Sequence, residues 1–97
     1  MSYQYVYEPA ALDRFKNTIL WYKKRSLKAA ENFVLEVEER IKAICANPLR
    51  YRNPYKYFRE APLKKYPYSI IYFIDEEEKL IIISSIHHHK QHPRKKY

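Results

Sequence analysis

The sequence predicts an α+β domain: an N-terminal strand, then an antiparallel helical hairpin packed on a small, mainly antiparallel sheet. Three observations carry that expectation. Apolar residues between Leu12 and Ile44 recur at helical spacing. From Tyr66 to His88 the chain is dense in aromatic and β-branched residues, which favour strands. The helical half precedes most of the strands, and elements segregated in this way build two layers rather than an alternating parallel sheet. At 97 residues the chain is expected to form one domain, 1–97, with 90–97 a basic C-terminal tail.

Tyr3 to Tyr7 alternates aromatic and smaller residues and reads as the first strand. Pro9 suits the first turn of a helix. The stripe Leu12, Phe15, Ile19 and Tyr22 follows, with Asp13 near the positive end of the dipole and Lys23, Lys24 and Arg25 near its negative end. Ser26 is an N-cap for a second helix running to about Ala46. That helix carries an apolar stripe of Ala30, Phe33, Val34, Val37, Ile41 and Ile44, opposite a charged face that includes Lys28, Glu31, Glu36, Glu39 and Lys42. Asn47-Pro48 ends it, because the residue before proline resists helical geometry. So short a break between the helices predicts a hairpin.

Beyond it, Asn53-Pro54 marks a turn, and Tyr57 to Ala61 a short strand placed at an edge by Pro62. Tyr66 to Ile74 and Leu80 to His88 predict an antiparallel pair around the acidic turn from Asp75 to Lys79. The unbroken Leu80-Ile81-Ile82-Ile83 predicts burial on both faces.

Composition narrows the function classes. Nineteen Lys and Arg against eleven Asp and Glu leave a net charge of +8, which draws anionic partners unless it merely solvates the surface. Glycine is absent, which excludes glycine-rich phosphate loops and the dinucleotide fingerprint. The single Cys45 allows no internal disulfide and reads as a core residue of a reducing, cytoplasmic protein. Neither a signal-peptide core near the N-terminus nor an apolar run of membrane-spanning length is present in the sequence.

Several pieces together resemble the RelE/ParE superfamily of toxins from type II toxin–antitoxin systems. They are Trp21-Tyr22 late in the first helix, the Phe33-to-Ile44 stripe, and Asn47-Pro48 followed by Tyr51. Arg59, Leu63 and Tyr66-Pro67-Tyr68 leading into Ile70, Ile71 and Tyr72 come next, then a histidine cluster with Pro93 and Tyr97 beyond. The resemblance implies the RelE-like order β-α-α-β-β-β and a toxin silenced by a partner antitoxin. RelE-like members cleave mRNA on the ribosome; ParE-like members inhibit DNA gyrase. Tyr66-Pro67-Tyr68 and the ending Pro93 to Tyr97 look more ParE-like.

Metal-free RNA cleavage needs a base, an acid and cations around the phosphate. The resemblance offers Arg59, His88 and Lys90 as candidate catalytic residues if the chain is a nuclease, which would be a metal-independent endoribonuclease. It also shows a departure. Nuclease members carry an arginine one residue after the position of Tyr68, and here that residue is Ser69, which cannot hold a phosphate as a guanidinium does. Candidate binding residues for nucleic acid or a target are Arg50, Arg52, Lys56, Lys64, Lys65, Arg94, Lys95 and Tyr97. Cations interleaved with aromatics suit phosphates and bases, though charge and proline also protect an edge strand. On a strand His87 and His89 share one face and His88 takes the other. With His92 the only further histidine, no acidic cluster nearby and one cysteine, neither a metal nor another cofactor is expected.

The expected function is therefore a ParE-like toxin that binds DNA gyrase and is neutralised by an acidic antitoxin. The alternatives are a RelE-like mRNA endonuclease acting on the ribosome, and a non-toxic basic RNA-binding module. None involves a membrane or a small-molecule substrate.

Overall fold

The computed structural model describes residues 2–91 and 97. The element order is β1 (Gln4–Tyr7), α1 (Pro9–Lys23), α2 (Leu27–Ala46), β2 (Arg52–Tyr55), β3 (Phe58–Pro62), β4 (Tyr68–Asp75) and β5 (Leu80–His88). The strands form one five-stranded sheet in the order β1-β5-β4-β3-β2. Only the β1–β5 pairing is parallel. The α+β reading and its element order hold, with one strand more than the sequence predicted.

Local chemistry explains the helix limits. Pro9 opens α1 behind an extended Glu8. The Ser26 hydroxyl accepts the backbone N–H of Ala29 at the start of α2, and Asn47 closes that helix before Pro48. The stripe of α2 is buried at Ala30, Phe33, Val37, Ile41 and Ile44. Phe33 is its centre, with ring centroids of Phe15, Tyr22, Tyr66 and Tyr68 all within 5.8 Å.

Two predicted details are corrected in the β2–β3 hairpin. Asn53-Pro54 lies inside β2, not in a turn, and the chain reverses instead at Lys56-Tyr57. Lys56 takes the left-handed region there (φ 49°), as Lys79 does between β4 and β5 (φ 52°). A glycine would adopt this conformation without the Cβ penalty. β3 is also not an edge strand, since β2 lies outside it. Pro62 is tolerated because it is the last residue of β3, opposite Ser69, and the β2 pairing reaches only to Glu60.

A bulge sets which side chains meet the helices. Ile71 pairs with Ser85 and Tyr72 with Ile83, so Ser84 is the extra residue. The alternation of β5 shifts by one there. Ile81, Ile83, Ile86 and His88 consequently share the helix-covered face with Tyr68, Ile70, Tyr72 and Ile74. Burial of Leu80–Ile83 is complete on this face only: Ile81 and Ile83 are fully buried, Leu80 and Ile82 partly.

Among the described residues no helix covers the opposite face, yet it is filled. Tyr55, Phe58 and Phe73 extend across it with Tyr57 from the turn, and Tyr97 rests against Tyr55 and Phe58 at 4.9 and 5.1 Å between centroids. Beside them Glu60 is 6% exposed, and Ser69 and His87 are each 1% exposed. Arg52 holds the Glu60 carboxylate at 2.7 Å.

Candidate functional site

Three of the basic residues singled out from the sequence meet in one groove of about 730 Å³ between α2 and the β3–β4 turn. Arg50 enters from the loop after α2, and Lys64 and Lys65 from the turn. Arg40, Glu36 and Glu39 line it from α2, with Tyr51 and Tyr66. Four cations face two carboxylates, so the groove keeps an excess of positive charge.

Its walls are fixed by polar ties. The Glu36 carboxylate accepts the backbone N–H groups of Lys64 and Lys65, which anchors the turn to α2. The Tyr66 hydroxyl donates to the Ala29 carbonyl at 2.8 Å. The Tyr72 hydroxyl donates to the Pro48 carbonyl at 2.6 Å and holds the opposite wall. Burial pushes the Tyr72 phenol far above its ordinary range; nearby Arg59 opposes the rise and Tyr51 adds to it.

Glu36 accepts backbone donors, so the lysine ammonium groups keep their charge for a ligand. Among the described residues neither lysine makes an ion pair. Arg40 donates to the Tyr51 hydroxyl at 3.0 Å, and Arg40 and Arg50 both sit within 5.8 Å of the Tyr51 ring centroid. The Arg40 Nε is buried with no hydrogen-bond partner among the described residues.

The other sequence candidates lie elsewhere. Arg59 spends its guanidinium on the carbonyls of Tyr51 (2.7 Å) and Leu49 (3.4 Å), so it shapes the groove wall from behind. It pairs with Tyr72, whereas His88 pairs with Tyr68. At about 3.3 Å per residue that register separates Arg59 and His88 by roughly 13 Å along the sheet. Arg59, His88 and Lys90 therefore do not converge. His88 accepts the backbone N–H of Lys90 on Nδ1 at 3.0 Å, and its ring meets Tyr68 edge-on at 4.8 Å. Lys90 is exposed. Arg52 and Lys56 lie at the β2 edge, Arg52 paired with Glu60 and Lys56 over the Tyr55 ring at 5.2 Å. Tyr97 packs on the aromatic face; Arg94 and Lys95 lie outside the described residues, as do His92 and Pro93.

Ser69 sits on the filled face, with its hydroxyl 2.9 Å from Nε2 of His89. No three His, Cys, Asp or Glu side chains among the described residues converge as metal ligands would. Cys45 is buried, which raises its thiol pKa. None of the described helices is long and apolar enough to cross a membrane.

Sequence reasoning missed Arg40 and misassigned Glu36. Both sit on a helix face that reads as solvated, and their partners lie at least eleven residues away. Spacing within α2 carries no signal of either tie. The aromatic–cationic composition of residues 50–59 did mark one wall.

A family model described as the ParE toxin of the type II toxin–antitoxin system parDE matches residues 5–93. Among solved structures, a chain of the chromosomal ParDE system from P. aeruginosa superposes with a TM-score of 0.73 at 19% identity, covering 90% of this chain and 96% of that one. The isolated E. coli RelE toxin gives 0.67 at 11% identity, covering 97% and 92%. A chain of the RelBE2 toxin–antitoxin complex from Mycobacterium tuberculosis gives 0.61 at 17% identity, covering 91% and 99%. No curated protein sequence matches.

Proposed function

The chain belongs to the ParE toxin family of type II toxin–antitoxin systems, and on that premise we propose that it arrests growth by binding DNA gyrase in the cytoplasm rather than by cutting RNA. The observation that carries this reading is the state of the helix-free face. Where the nuclease resemblance would place an arginine stands Ser69, 1% exposed between Pro62 and His87, the latter also 1% exposed, with its hydroxyl against His89. A phosphodiester has no access to a residue in that position, and a serine there offers no charge to hold one. The cationic groove of Arg40, Arg50, Lys64 and Lys65 is accessible and is a surface suited to binding rather than bond cleavage.

The same groove accounts for neutralisation. An antitoxin segment rich in Asp and Glu satisfies its excess charge. Association with that antitoxin is expected to slow as salt rises, because charge steers the encounter. Purified toxin added to a gyrase supercoiling reaction is expected to inhibit it, and supercoiling that proceeds normally at stoichiometric excess refutes the gyrase reading.

The mRNA-cleaving reading keeps one supporting observation: His88 remains half-buried at a groove mouth, with Nε2–H as its ring donor. Intact message after incubation with translating ribosomes removes it.

A further inference from the structure

A second groove, of about 930 Å³, opens on the other side of the helical hairpin, between α1 and the ends of β4 and β5. Arg14, Asn17, Trp21 and Asp13 line it from α1, and Tyr68 and His88 from the sheet. We propose that this groove binds a nucleotide, with Arg14 and His88 holding the phosphate and the aromatic wall stacking on the base.

Arg14 is the first reason. It is half-buried, yet its one hydrogen bond among the described residues is to a neutral acceptor, the Gln91 side-chain carbonyl at 2.6 Å. No carboxylate reaches it within ion-pair distance among the described residues. A partly desolvated guanidinium without a counter-charge is costly, and an anion relieves that cost. Gln91 also accepts the His88 backbone N–H at 3.3 Å, so one amide holds the cation of α1 against the end of β5.

His88 is the second. Its Nδ1 accepts the Lys90 backbone N–H, so the neutral ring carries its proton on Nε2 and lines the groove as a donor. Arg14 from a helix, Asn17 one turn along it and His88 from a strand place donors on different sides of one space. A carboxylate is satisfied by the guanidinium fork alone. Donors spread around a space match a tetrahedral phosphate better.

The aromatic wall is the third. Trp21 follows Arg14 by seven residues, so both lie on one helix face about 10 Å apart along the axis. The indole is half exposed, Tyr22 stands edge-on to it at 5.1 Å, and the Arg25 guanidinium covers one ring face at 3.6 Å, so a base has only the other face to stack on. Bases of any identity stack on such rings. The chain has no glycine, so a phosphate here must be held by side chains rather than by a loop of backbone N–H groups. Asp13 on the groove wall repels an anion and moderates affinity.

The test uses the protein's only tryptophan, Trp21, as its reporter. Full-length toxin is titrated with adenosine monophosphate, adenosine, and a short oligonucleotide with and without a 5′-phosphate, following emission excited beyond the tyrosine absorption. Saturable quenching by the monophosphate is expected, with adenosine at least about tenfold weaker and Arg14→Gln weakening the monophosphate by a similar factor, as for loss of a charge-assisted hydrogen bond. Asp13→Asn, a change at an exposed position that leaves packing intact, is expected to tighten binding. Whichever of the free monophosphate and the 5′-phosphorylated strand binds more tightly identifies the source of the nucleotide. Equal response to adenosine, absence of quenching, or indifference to both Arg14→Gln and Asp13→Asn overturns the proposal. Oligonucleotide binding that survives removal of the 5′-phosphate also counts against it, since that belongs to the lysine groove. Thermal midpoints of each variant separate lost binding from lost fold.

Discussion

Replacing Ser69 by arginine restores the residue that the nuclease resemblance would place there, and it tests whether the helix-free face is closed. Ser69 is 1% exposed in the central strand β4, between Pro62 on β3 and His87 on β5. The new side chain must displace its neighbours, and overpacking of a closed site costs about 1–3 kcal/mol. A guanidinium buried there adds a desolvation penalty of several kcal/mol, since the Glu60 carboxylate on that face already pairs with Arg52. The hydroxyl contact to His89 is lost as well, worth about 1 kcal/mol. A total of at least about 3 kcal/mol is a large share of the roughly 5–15 kcal/mol that stabilises a domain. For a chain of this length it lowers the melting temperature by about 12 °C or more. Calorimetry on Ser69→Arg measures this, with Val6→Arg as the control. Val6 lies on the same face in the edge strand at 45% exposure, so it should shift by little. A Ser69→Arg protein that melts unchanged and cleaves RNA refutes the reasoning, because the face would then be open to substrate.

Three further outcomes follow from the same contacts. Tyr72→Phe leaves the Pro48 carbonyl without its donor and is expected to cost about 1–2 kcal/mol in denaturant unfolding. Stability should fall in alkali: burial raises the folded-state pKa of Tyr72 and Tyr7, so their contribution is present below the ordinary tyrosine value of about 10 and is lost as pH rises beyond it. Unfolding midpoints measured across that range check the sign, and Tyr72→Phe should flatten the decline. Lys64→Gln with Lys65→Gln should weaken capture of an acidic antitoxin and lower its salt dependence with little change in melting temperature, read by association kinetics at two ionic strengths; an unchanged salt slope excludes the groove as the docking surface.

Most of the fold was legible in the sequence because the signals were local. Pro9, Ser26 and Asn47-Pro48 act on the backbone within a turn of themselves, and the α2 stripe records one buried helix face whatever it packs against. β2 was not legible. Asn53-Pro54 carries a turn signal, and only the partner strand makes an edge strand of it. The bulge at Ser84 was equally silent, although it turns His88 towards α1 and His87 away from it.

The candidate site divides along the same line. Composition alone determined that this is a basic protein without glycine phosphate loops, and that residues 50–59 concentrate cations among aromatic rings. Ser69 marked the departure from the nuclease pattern by its identity alone. Tertiary structure decided which cations act together. It brought Arg50, Lys64 and Lys65 to Arg40, spent Arg59 on two carbonyls, and separated it from His88 by strand register. It also decided that the face holding Ser69 is filled. The physical reason is range: propensity and capping act over a few residues, whereas convergence of charge depends on contacts between segments that only the completed sheet and hairpin bring together.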